Sequence, residues 1–98
     1  MTVYRLSGAA EKDLEDLWIY LSQQSPIIAD RQVGKLLNRL PMLAEFPNMG
    51  TARNNLLPGL RSFPSKPFII FYILFPDRIE ILRILHQSRD IEAEFSQQ

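Results

Sequence analysis

The 98-residue chain has no cysteine, one histidine (His86), four scattered glycines and no net charge. Each shortage removes a class of function. Without cysteine there is no disulfide framework and no thiolate chemistry, a composition that suits a reducing cytosol. With one histidine besides, a buried zinc site has too few of its usual ligands. The isolated glycines form no phosphate-cradling loop, there is no nucleophile elbow, and a lone histidine leaves little for a catalytic triad. The longest apolar run has eight residues, against the roughly 20 needed to span a bilayer as a helix. The N-terminus lacks the basic start, apolar middle and small-residue cleavage site of a signal peptide. No cofactor is implied.

What is present describes one α+β domain over residues 1–98. Apolar residues make up 46% of the chain and charged residues 22%, the balance of a globular protein rather than a disordered one. The neutral total conceals an asymmetry. Glu11, Asp13, Glu15 and Asp16 crowd one early segment, whereas residues 51–89 carry six Lys/Arg against Asp77 and Glu80 alone. Proteins that bind nucleic acid by neutralising phosphates are usually strongly basic overall, so a protein partner is at least as well supported.

The hydrophobic periods predict the order β-α-α-β-β-β. Thr2–Leu6 reads as a short strand. Ser7 is placed to cap a helix over residues 8–24, with Ala10, Leu14, Leu17, Trp18 and Leu21 as its apolar stripe. On this reading Trp18 belongs to the core. Ser25 and Pro26 restart the chain as N-cap and first helical residue. Ala29, Val33, Leu36, Leu37, Leu40 and Leu43 give the second stripe, and Pro41 is expected to kink or end that helix. Phe46–Gly50 is a turn and residues 51–59 a loop. Leu60–Phe63 is a brief strand, residues 64–67 a connection, and Phe68–Phe75 with Ile79–Leu85 a hairpin joined at Pro76, Asp77 and Arg78. Phe68–Phe75 is apolar on both parities, as a central strand covered on both faces would be. Residues 91–95 can form one closing turn. The helical hairpin should pack on one face of a small, mostly antiparallel sheet.

Candidate chemistry gathers around the C-terminal hairpin. Arg61, Lys66, Arg83, His86 and Arg89 could meet on a concave face, where guanidinium groups would steady phosphate charge and His86 would move a proton. The plainer alternative has Arg61 and Arg83 paired with local carboxylates such as Glu80. In a regular strand Arg83 and His86, three residues apart, point to opposite faces unless a bulge intervenes. The four early acids spread around their helix and read as a solvated face. Tyr72, within the central strand, needs a buried partner for its hydroxyl.

The order and spacing of several short motifs resemble the RelE/ParE toxin superfamily. They are Ser7-Gly8-Ala9-Ala10-Glu11-Lys12-Asp13-Leu14, then Leu43-x-x-Phe46-Pro47-x-x-Gly50-x-x-Arg53. Pro58-Gly59-Leu60-Arg61-Ser62-Phe63, Phe71-Tyr72 and Ile81–Asp90 follow. The resemblance implies a toxin of a bacterial type II toxin–antitoxin module, neutralised by a small cognate antitoxin. ParE-like members poison DNA gyrase, whereas RelE-like members cleave mRNA on the ribosome without metal. The neutral charge, the absence of tyrosine from residues 91–95 and the wording of Gly59-Leu60-Arg61 and His86–Asp90 favour the ParE-like branch. That branch implies binding without catalysis, with Arg61, Arg83, His86 and Arg89 as candidate contact residues. On the RelE-like alternative Arg61, Lys66, Arg83 and His86 would be the nuclease site. A third reading is a degenerate member that acts only in antitoxin complexes.

Overall fold

In a computed structural model, residues 3–96 are described. Strand β1 (Val3–Leu6) leads into helices α1 (Gly8–Ser22) and α2 (Pro26–Glu45). A 3₁₀ turn at Pro47–Met49 and the short strand β2 (Thr51–Ala52) follow. Strands β3 (Leu60–Ser65), β4 (Phe68–Leu74) and β5 (Arg78–His86) and helix α3 (Ile91–Ser96) complete the chain. The five strands form one sheet in the order β1-β5-β4-β3-β2, antiparallel except where β1 runs parallel to β5. This is the expected α+β arrangement. Of the strand expected at Thr2–Leu6, Thr2 lies outside the described residues.

The helical hairpin covers one sheet face. Ala10 of α1 and Leu36, Leu40, Leu43 and Ala44 of α2 pack on Ile70, Tyr72, Ile79, Ile81 and Ile84. The other face is covered too, by Leu56 and Leu57 of the long loop and by Ile91 and Phe95 of α3, around Leu60, Phe71 and Leu85. Phe95 meets Phe71 edge to face with ring centroids 4.9 Å apart. This second layer explains why β4 is apolar on both parities.

Several local expectations are corrected. Helix α2 does not end at Pro41 but runs on to Glu45, giving up one backbone bond while burying Leu40, Leu43 and Ala44 around it. Leu37 falls on the exposed side. Trp18 is 40% exposed rather than core. It sits on the flank of α1 facing α2, where its indole N–H donates to Asp30 Oδ1 at 2.9 Å. Thr51–Ala52, expected as loop, pairs with Arg61 and Ser62 as an edge strand. β3 continues through Pro64 to Ser65, a proline tolerated because its neighbour on that side, β2, does not reach so far.

Serine 7 joins α1 to the sheet. Its hydroxyl accepts from Ala10 N as an N-cap and donates to the Leu82 carbonyl at 2.8 Å, and its own N–H reaches the Ile81 carbonyl. β1 pairs with β5 only as far as Leu6 and Ile81. Past that point the outer edge of β5 faces α1, and there the candidate site begins.

Candidate functional site

Opposite β4, strand β5 carries one extra residue. Tyr72 pairs with Ile81 and Phe71 with Arg83, so Leu82 is bulged out. The bulge precedes Arg83 and leaves the alternation from Arg83 to His86 intact. Ile84 and His86 therefore stand on the helix face, and Arg83 begins on the α3 face. Its side chain reaches around the open edge of β5 and joins the two layers.

Arg83 Nε donates to Asp13 Oδ2 at 2.8 Å and Nη2 to Oδ1 at 2.9 Å, a two-bond fork, while Nη1 donates to Glu94 Oε1 at 3.1 Å. Asp13 Oδ2 also accepts the Ile84 backbone N–H at 3.0 Å. Asp13 thus stands in for the strand that β1 no longer supplies. On the far side Arg89 Nη2 donates to Glu94 Oε2 at 2.7 Å. The hydrogen bonds to Asp13 raise the Arg83 pKa above its ordinary value against the opposing effect of burial. The bond from Arg89, with further help from Arg83, holds the Glu94 carboxyl below its ordinary range.

Arg83, His86 and Arg89 line one groove of about 840 Å³ between the tip of the helical hairpin and the ends of β4 and β5. Its apolar surfaces come from Leu17, Tyr20 and Leu21 of α1, Ile28 of α2, and Phe68 and Ile84 of the sheet. Lys12 and Asp16, 3.3 Å apart, also line it. The His86 ring stands perpendicular to Phe68, centroids 5.4 Å apart. Its Nδ1 lies 3.0 Å from the Ser88 N–H, which it accepts, and 2.8 Å from Ser88 Oγ. Neutral His86 therefore carries its proton on Nε2.

The five cations singled out in the sequence do not converge. Arg61 and Lys66 are absent from the groove lining. Arg61, opposite Tyr72 in the β3–β4 pair, donates from Nη2 to the carbonyls of Gly50 at 2.6 Å and Asn48 at 3.2 Å. It buttresses the Pro47–Met49 turn, and neither it nor Arg83 pairs with Glu80, whose partner is Arg78 at 3.7 Å. Lys66 is exposed in the β3–β4 turn. Sequence reasoning also missed Asp13, grouping it with three solvated acids. A signal was available: Asp13 lies three residues after buried Ala10 and four before Leu17, within the apolar stripe. A carboxylate there must find a partner. Among the described residues no three His, Asp or Glu side chains come together as a metal-binding group.

Comparison with known proteins then assigns the chain. The sequence profile for "ParE toxin of type II toxin-antitoxin system, parDE" matches residues 4–91. The chain belongs to the ParE toxin family. It is 37% identical to Toxin ParE1 of Caulobacter vibrioides over 94 residues, covering 95% of this chain and 97% of that one. Toxin RelE3 of the same organism is 30% identical over 87 residues, 88% of this chain and 95% of that one. A solved structure of the chromosomal ParDE toxin–antitoxin system from P. aeruginosa superposes with a TM-score of 0.73. It is 25% identical, covering 88% of this chain and 96% of that chain. Strand order, helical hairpin and groove therefore belong to a ParE-family toxin. Among the described residues no helix is long and apolar enough to cross a membrane.

Proposed function

We propose that this chain is the toxin of a type II module and stops replication by holding DNA gyrase on cleaved DNA, by binding rather than catalysis. One observation carries this preference over mRNA cleavage: the guanidinium of Arg83 is taken up by Asp13 and Glu94. A metal-independent nuclease needs free cations facing the scissile phosphate and an acid–base group beside them. Here Arg83 acts as a clamp between layers, Arg61 is held by backbone carbonyls, and Lys66 stands apart. Of the groove's basic side chains His86 alone has no carboxylate partner among the described residues, while Lys12 and Arg89 each hold one and sit at the rim, too little to build that site.

A cognate antitoxin is the second partner on this reading. The groove has the form an antitoxin segment needs. It is an apolar trough flanked by Lys12, Asp16 and Arg89, with Tyr20 62% exposed inside it. An amphipathic helix could seat its apolar side there, with acidic residues set towards Arg89.

The deciding experiment is pulse-labelling of DNA and protein synthesis just after induction of the chain without antitoxin. Loss of thymidine incorporation while methionine incorporation continues is the expected result. An immediate fall in methionine incorporation would replace this function with ribosome-dependent RNA cleavage. Unimpaired growth in a host with sensitive gyrase would point to a member that acts only in antitoxin complexes.

A further inference from the structure

Helix α2 carries Arg31, Lys35 and Arg39 at four-residue intervals. That spacing places them in one row with a rise of about 6 Å per step. Arg31 and Lys35 are exposed and Arg39 is half-buried, its Nε enclosed without a hydrogen-bond partner. None of the three has a carboxylate within ion-pair distance among the described residues. Lys12, Arg78, Arg83 and Arg89 are paired. The other cations without a carboxylate partner, Arg5, Arg53, Arg61 and Lys66, are scattered over β1, the β2–β3 loop, β3 and the β3–β4 turn rather than gathered on one helix. The acids of the same helix are elsewhere: Asp30 turns to Trp18 on α1, and Glu45 lies beyond the row at the last residue. A helix that segregates three long cations and leaves them unneutralised holds a local positive field in a chain of zero net charge.

We infer that this row is a contact surface for the phosphate backbone of duplex DNA. A file of cations that rises about 12 Å along the helix and winds about 80° around it suits a stiff, evenly charged strand that itself curves. No aromatic residue interrupts it, since residues 31–39 contain none, so it lacks the stacking platform that single strands use. Such contacts position without reading sequence. The setting, though not the binding itself, rests on the proposed gyrase function: DNA held by gyrase would add these contacts to a protein–protein interface. Three contacts alone are weak and strongly salt-dependent.

The test is fluorescence anisotropy of a labelled duplex of about 24 base pairs with the full chain, free of antitoxin, across a potassium chloride series. Three phosphate contacts predict a log–log salt slope of about −2.7, or about 40-fold weaker binding at 200 mM than at 50 mM. The double variant Arg31→Gln with Lys35→Gln, both exposed, should keep its fold and reduce that slope by about 1.8. Arg5→Gln, an exposed cation on β1, should leave it unchanged. No binding at low salt, an unaltered slope in the double variant, or an equal loss from Arg5→Gln overturns the inference. Tighter binding of a single-stranded RNA through the same residues also overturns it. Gyrase cleavage assays on the same proteins separate the two readings. Row-dependent DNA binding without gyrase poisoning sinks the gyrase function alone. Poisoning with no row-dependent DNA binding sinks this inference alone.

Discussion

Asp13 and Arg83, seventy residues apart in sequence, close a two-bond ion pair at the place where β1 stops covering β5. Both side chains are mostly buried, at 14% and 20% exposure, and Asp13 also holds the Ile84 N–H. Removing the carboxylate leaves a cation and a backbone donor short of partners. Asp13→Ala should therefore cost about 2–4 kcal/mol in urea unfolding. The double variant with Arg83→Met should cost less than the sum of the singles, because it removes the stranded charge. Strict additivity would mean that the pair does not act as a unit. On the same basis Arg83→Ala should lower stability rather than reveal a lost catalytic group.

Tyr72 and Gly50 make the corresponding contact under the Pro47–Met49 turn. The Tyr72 hydroxyl donates to the Pro47 carbonyl at 2.6 Å and accepts the Gly50 N–H at 2.9 Å. A β-carbon on Gly50 would fall on that hydroxyl and lie 2.9 Å from the Ser62 carbonyl oxygen. Tyr72→Phe should cost about 1–3 kcal/mol by orphaning a buried donor. Gly50→Ala should cost a similar amount through overpacking. Combined, they should cost less than their sum, since losing the hydroxyl removes the shortest of the three close contacts. Thermal unfolding of the four proteins checks this. A fully additive result would place the strain at the contacts the hydroxyl does not make, the Tyr72 ring edge and the Ser62 carbonyl, each 2.9 Å from the added carbon.

Glu94 gives the fold an acid-sensitive link between α3 and β5. Its carboxyl is held below the ordinary range chiefly by the bond from Arg89. On acidification the unfolded chain thus binds its proton first. The stabilisation is complete above the ordinary carboxylate value of about 4.3 and is lost as pH falls through the lower folded value. The stability difference between the parent and Glu94→Gln should be constant near neutrality and shrink below about pH 4. Urea titrations at stepped pH measure it. A difference that stays constant into acid would show that the link is not ionic.

The elements with a strong period were legible in the sequence. Both helical stripes, the apolar runs of β4 and β5 and the capping Ser7 and Ser25 each reflect local physics that a short window contains. β2 was not legible, because two residues carry no period and their pairing is fixed by β3. Trp18 was misread since its spacing fits the stripe, while its indole N–H is better met by Asp30 at the margin between helices than within an apolar core. The candidate site was harder still. Arg83 was singled out, but its partners lie on α1 and α3, and only the tertiary fold brings Asp13 and Glu94 to the same guanidinium. The resemblance found the family through many weak motifs, and it marked Arg61 and Arg83 without separating a buttress from a clamp.

The groove makes the antitoxin contact testable without knowing the target. Tyr20 and Ile28 line it and are 62% and 43% exposed, so truncating either removes little from the folded core. Large side chains set in a desolvated trough are those that dominate binding energy. Tyr20→Ala should weaken the cognate antitoxin at least about 10-fold, equivalent to about 1.4 kcal/mol. Ile28→Glu should weaken it further by placing a charge against apolar surface. Ile19→Ala alters a residue of the same helix that is 47% exposed and outside the groove lining, and it should leave affinity unchanged. Calorimetric titration with thermal melts of each variant separates lost contact from lost fold. If Ile19→Ala weakens binding and Tyr20→Ala does not, the antitoxin sits on the outer surface of α1 and the groove is left for another partner.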